Sequence, residues 1–160
     1  MNDLFKGEYN HSIDPKGRII VPSKFRELLG DNFVVTKGLD GCLWVFPENE
    51  WDDFSGKLHS LQTSKQDDGF VGSGIPISNA DLRKLTRFFM GGALDAEADK
   101  QGRTLLPQSL REYAGLEKDI VLVGVSNKVE IWDKKRWEQN SNFDNIELIA
   151  EHMGELGLGF

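Results

Sequence analysis

One cysteine, Cys42, stands in a chain of 160 residues, so neither an internal disulfide framework nor a multi-cysteine zinc site can form. His11, His59 and His152 show no metal-ligand spacing. No apolar run reaches the ~18–20 residues of a membrane helix, and the opening Met1-Asn2-Asp3-Leu4-Phe5-Lys6 lacks the apolar centre of a secretion signal. The glycines at 69, 72 and 74 lack the Lys-Ser/Thr of a P-loop, and those at 154, 157 and 159 have no following helix to bind a dinucleotide. Asp52-Asp53 and Asp67-Asp68 read as helix and loop surface, without an apolar pocket to raise a pKa. Cys42 lies in the apolar run Cys42-Leu43-Trp44-Val45 and reads as a core residue, not a nucleophile. No enzymatic constellation survives, and no metal, cofactor or small-molecule substrate is expected. The expected compartment is the cytoplasm.

Positive charge is also scarce, with 19 Lys+Arg against 26 Asp+Glu and a net charge of -7. Taken whole, that balance argues against a nucleic-acid partner, because phosphate binding needs a positive field. Its distribution removes the objection. Residues 138–160 contain no Lys or Arg and five acids, Glu138, Asp144, Glu147, Glu151 and Glu155. Residues 81–137 are net positive, with 11 basic and 9 acidic side chains. Phe143, Ile146, Ile149, Met153 and Leu156 recur at helical spacing, which predicts an acidic amphipathic helix that packs by one face. Such a helix is either a solvated cap or a docking or DNA-mimicking tail.

The chain repeats itself. With Asp14 placed on Asp99, Gly17 meets Gly102, Arg18 meets Arg103, Pro22 meets Pro107, Arg26-Glu27 meets Arg111-Glu112 and Gly30 meets Gly115. After a one-residue insertion Val35 meets Val121, Gly38 meets Gly124 and Trp51 meets Trp137, while upstream Gly7 meets Gly92. Two copies of one module result, 5–54 and 81–137, joined by a linker at 55–80 and followed by an acidic tail at 138–160. Each copy reads as a short strand, an Asp-x-x-Gly-Arg turn, a second short strand, a helix opening at Pro22 or Pro107 and ending before Gly30 or Gly115, two more strands and a closing helix. The class is therefore α+β, mainly β. The four tryptophans, Trp44, Trp51, Trp132 and Trp137, read as core or interface residues. A module of about 50 residues is marginal alone, so the copies should interleave or pack face to face around a pseudo-twofold axis. In the linker, Asp67 to Gly74 is a loop by composition, and Asn79 is an expected N-cap for a helix carrying Leu82, Leu85, Phe88 and Phe89.

Asp14-Pro15-Lys16-Gly17 has type I turn chemistry: an acceptor at the first position, a preset φ at the second, and glycine at the end or in an adjoining bulge. Asp99-Lys100-Gln101-Gly102 keeps the aspartate and glycine. Each aspartate also stands four residues before an arginine with which it can pair. A hairpin tip of this kind needs no ligand. Two arginines on equivalent tips nevertheless suit a duplex, since each guanidinium offers a fork to a phosphate or to guanine O6/N7. Lys16 and Lys100 add cations to the same tips.

At these residues the sequence resembles the MraZ family, bacterial transcription regulators built from two tandem SpoVT-AbrB-type domains. The resemblance is carried by Phe5 through Arg18, by Val21-Pro22 and Phe25-Arg26, by Thr86-Arg87-Phe88-Phe89 through Arg103, and by Gly124 through Lys128. It implies a swapped-hairpin β-barrel with flanking helices, assembly of several chains into a ring, and binding to repeated promoter elements of the division and cell wall cluster, including the regulator's own gene. The family's Asp-x-x-x-Arg motif falls on Asp14/Arg18 and Asp99/Arg103. Its implied partners are double-stranded DNA and further copies of the chain, without a membrane, and its implied location is the nucleoid. Relative to the family pattern, three residues are added before Phe5 and the linker loop at 66–74 is longer. A scaffold or antitoxin-type protein-binding module on the same barrel is the alternative reading.

Overall fold

The computed structural model describes residues 3–63, 70–71, 77–154 and 156–157. The first half contributes β1 (Phe5–Ser12), β2 (Arg18–Ile20), α1 (Ser23–Leu29), β3 (Asn32–Lys37), β4 (Leu43–Pro47) and α2 (Glu48–Thr63). A short pair, β5 (Phe70–Val71) and β6 (Ile77–Ser78), leads into α3 (Asn79–Gly91). The second half contributes β7 (Leu94–Glu97), β8 (Arg103–Leu105), α4 (Gln108–Ala114), β9 (Asp119–Ser126), β10 (Val129–Asp133) and α5 (Lys134–Asn140), and α6 (Ile146–Gly154) follows.

Strand pairing joins the halves throughout. The main sheet is antiparallel, in the order β1-β9-β10-β4-β3-β7. Exchanging each strand for its repeat counterpart reverses this order onto itself, so a pseudo-twofold axis passes between β10 and β4. The axis also relates β2 to β8, which form a separate two-stranded ribbon. One core gathers Ile19, Phe25, Phe33 and Leu43 from the first half with Leu106, Leu110, Ile120 and Ile131 from the second. Burying each such side chain stabilises by about 1.5–3 kcal/mol. Either half alone would expose most of that surface, which is why the copies interleave.

Several expectations need correction. Among the described residues no closed barrel is found: the main sheet runs from β1 to β7, and β2 with β8 forms a separate ribbon. The ribbon strands stay short because Pro22 and Pro107, two residues beyond each, lack the N–H a longer ladder needs. Both prolines sit one position earlier than expected, as extended N-cap residues before Ser23 and Gln108. The cap of α3 is Ser78, not Asn79, with its hydroxyl accepting from the Asp81 amide at 3.1 Å. Within the expected linker loop, Phe70–Val71 form a strand with Ile77–Ser78; the rest of the 66–74 segment lies outside the described residues. The acidic helix forms as α6, but none of its residues is buried, and Phe143, Ile146, Leu148 and Ile149 face solvent. Helical periodicity specifies an apolar face, not the surface that covers it.

Candidate nucleic-acid interface

The two tips are built alike, atom for atom. At the first, the Gly17 amide donates to the Asp14 carbonyl at 2.9 Å, and the Asp14 amide donates to the Arg18 carbonyl at 2.9 Å. Gly17 takes φ +84°, which makes it the left-handed residue of a bulge closing a type I turn. The Asp14 carboxylate accepts from the Lys16 amide at 2.9 Å, the Arg18 amide at 2.8 Å and Arg18 Nε at 2.7 Å. At the second tip the Asp99 carboxylate accepts from the Gln101 amide at 2.9 Å, the Arg103 amide at 2.9 Å and Arg103 Nε at 2.7 Å. Gly102 takes φ +82°. The Arg18 amide bonded to Asp14, assisted by the Arg18 guanidinium and the Lys16 amide, holds that carboxyl below its ordinary value. The Arg103 amide does the same for Asp99.

This network positions the arginines. Each aspartate engages Nε, and among the described residues neither terminal nitrogen of Arg18 or Arg103 has a hydrogen-bond partner. The fork suited to a guanine edge or a phosphate stays available while the side chain is held at its elbow. Lys16 and Lys100 are exposed beside them.

The ribbon sets the spacing. Arg18 pairs with Leu105, Ile19 with Thr104, and Ile20 with Arg103. Two residues of rise and one strand separation place the arginine Cα atoms about 8 Å apart. Alternation turns Ile19 and Thr104 into the core, at 1% and 2% exposure, and leaves both arginines on the outward face. Periodicity shows that β2 and β8 are strands; only their mutual pairing brings the two tips onto one surface.

Two arginines that sequence reasoning placed only as repeat identities belong to this structure as well. Arg26 Nε donates to the Val21 carbonyl at 3.0 Å, and Arg111 Nε to the Leu106 carbonyl at 2.9 Å. Each crosses the axis: a Cβ on Gly17 would lie 2.9 Å from Arg111 Cζ, and one on Gly102 would lie 2.8 Å from Arg26 Nε. The guanidinium from one half thus lies against the tip of the other. The duplicated Arg-Glu after each proline was the available sequence signal. Elsewhere, Arg83, Lys84 and Arg87 of α3 are exposed. Cys42 is fully buried, with its thiol on the Leu39 carbonyl, and desolvation followed by the nearby Glu130 pushes its pKa up. Trp132 is buried, and Trp44 stacks on Phe89 at 5.4 Å, so these rings pack inside the protein. Among the described residues no cluster of His, Cys, Asp and Glu could hold a metal ion, and no helix is long and apolar enough to cross a membrane.

A family profile described as "MraZ protein, putative antitoxin-like" matches residues 4–72 and 89–152. A protein of Lachnoclostridium phytofermentans named transcriptional regulator MraZ is 55% identical over 157 residues, which span 98% of this chain and 100% of that protein. Proteins of the same name from Acetivibrio thermocellus and Clostridium beijerinckii are each 50% identical, over 97% of this chain and 100% of their own length.

Proposed function

We propose, from the premise that the chain belongs to the MraZ family, that it is a transcription regulator binding duplex DNA through its two tips. The observation that carries the reading is the pair of aspartate-held arginines, Arg18 and Arg103, on the outward face of one antiparallel ribbon. A two-stranded ribbon fits the major groove, where arginine pairs with guanine O6/N7. Lys16 and Lys100 contact flanking phosphates. Asp14, Gly17, Asp99 and Gly102 hold the tips. Two modules, 5–54 and 81–137, then act as one reading head with pseudo-twofold symmetry.

The target is a set of repeated elements in the promoter of the division and cell wall cluster, including the protein's own gene. Several chains assemble, as a ring, so that weak single contacts add through effective concentration. Assembly also answers the net charge of -7, because it gathers the tips on one surface and leaves the acidic tails elsewhere.

Fluorescence anisotropy on a tandem-repeat duplex from upstream of its own gene tests the reading. Arg18→Ala or Arg103→Ala weakens binding by roughly 1–3 kcal/mol when a base is read bidentately. If Lys16 and Lys100 each neutralise one phosphate, log K falls against log salt with a slope of about -1.8 per chain. Unchanged affinity in the double mutant, with circular dichroism intact, refutes the proposal. A flat salt response favours a protein-binding scaffold instead.

A further inference from the structure

The outward face of the β2–β8 ribbon carries more than its two arginines. Strand alternation places Ile20 and Leu105 there too, at 45% and 58% exposure, while their neighbours Ile19 and Thr104 are buried. The register sets each apolar side chain directly across from a guanidinium: Leu105 faces Arg18 and Ile20 faces Arg103. Directly opposed Cβ atoms lie about 4.5–5.5 Å apart, so each arginine fork and its apolar neighbour form one contiguous unit. The unit occurs twice, related by the pseudo-twofold axis. A single exposed aliphatic residue needs no explanation. Two at equivalent positions, each beside an arginine whose terminal nitrogens are unpaired among the described residues, call for a ligand offering acceptors and an apolar group side by side.

We infer that Ile20 and Leu105 contact the C5-methyl groups of thymines in the major groove, next to the bases or phosphates held by Arg103 and Arg18. That methyl is the apolar feature of the major-groove edge, which also carries the acceptors an arginine fork takes. Charge complementarity points to this occupant: Lys16, Arg18, Lys100 and Arg103 flank the aliphatic pair with cations that the phosphates of a duplex match. Four side chains thus divide the work on one ribbon face, with the arginines supplying polar contacts and Ile20 and Leu105 distinguishing thymine from cytosine.

The inference rests on the DNA reading of the tips, and the test separates the two. A duplex carrying the footprinted element is prepared with each thymine in turn replaced by deoxyuridine, which removes only the methyl. Affinity is measured for the wild type, Ile20→Ala, Leu105→Ala and the double variant, and light scattering follows their assembly state. The wild type should lose about fourfold at one or more positions, the value of one buried methyl. The alanine variants should lose a similar factor on the thymine duplex and nothing further on deoxyuridine at those positions. Equal wild-type affinity for both duplexes overturns the inference, and it leaves the DNA reading standing if Arg18→Ala and Arg103→Ala still weaken binding. Undiminished methyl dependence in the alanine variants also overturns it, as does a changed assembly state with that dependence intact, which would assign the pair to a contact between copies. Failure of the wild type to bind any duplex removes both readings.

Discussion

Replacing Gly17 with alanine should incur two separable costs. The residue holds φ +84°, where a Cβ meets the following carbonyl, and that costs roughly 1–2 kcal/mol. The same Cβ would stand 2.9 Å from Arg111 Cζ and 3.0 Å from Arg111 Nε, so the guanidinium must shift to admit it. Arg111 is tethered through Nε to the Leu106 carbonyl at 2.9 Å, so it can yield only by giving up that bond. A hydrogen bond from a charged group is worth about 1.5–3 kcal/mol. Gly17→Ala should therefore destabilise by about 2.5–5 kcal/mol, a fall in Tm of roughly 5–20 °C for a protein of this size. Arg111→Ala alone should cost about 1.5–3 kcal/mol. The double variant should cost no more than Gly17→Ala, because once the guanidinium is gone the new methyl displaces nothing. The coupling, measured by urea denaturation of all four proteins, should be about 1.5–3 kcal/mol in favour of the double variant. Additivity within about 0.5 kcal/mol would refute the contact between the second half's arginine and the first half's tip. Gly102→Ala with Arg26→Ala provides the symmetric repeat, since Arg26 stands in the same relation to Gly102.

Asp14→Asn with Asp99→Asn removes two negative charges from the proposed DNA face, so Coulomb attraction alone predicts tighter binding. Loss of the bonds to Arg18 Nε and Arg103 Nε frees both side chains, and anisotropy should instead show binding weakened several-fold by the cost of re-ordering them; tighter binding would refute positioning by the carboxylates. Acid should release the tips in the same way. Both carboxyls sit below the ordinary value of 3.8, so the order they impose is complete above that pH and is lost as pH falls through their lower folded-state values. Amide resonances of Arg18 and Arg103 should report this transition below 3.8, and a midpoint above it would contradict the bonding seen at the tips. Cys42, buried with its thiol pKa raised, should react with a thiol reagent only on unfolding, at a rate that tracks urea concentration. Rapid labelling of the native protein would place the side chain elsewhere.

Much of the local structure was legible because its causes are local. Asp14, Pro15 and Gly17 supply an acceptor, a preset φ and a residue tolerant of φ +84°, and the turn follows from those three. Pro22 and Gly30 bracket α1 for similarly local reasons, and the shift of one residue at the start of the helix reflects only where an extended proline hands over. The acidic tail was harder. Its apolar face was visible in the spacing of Ile146, Ile149 and Met153, yet these side chains are not buried in the chain. Arg26 and Arg111 illustrate the other limit. Their positions in the repeat were plain, but their contact with a glycine of the opposite half depends on residues far apart in the sequence, Arg26 with Gly102 and Arg111 with Gly17, meeting across an axis.

From its sequence alone this protein is determined as a duplicated module with two Asp-x-x-Gly-Arg tips, because turn geometry, caps and alternation depend on residues within a few positions of one another. Tertiary structure decided the rest. An alternating strand does not specify its partner, and the open sheet order, the β2–β8 ribbon and the placement of Arg18, Arg103, Ile20 and Leu105 on one face arise only when both halves bury a common core.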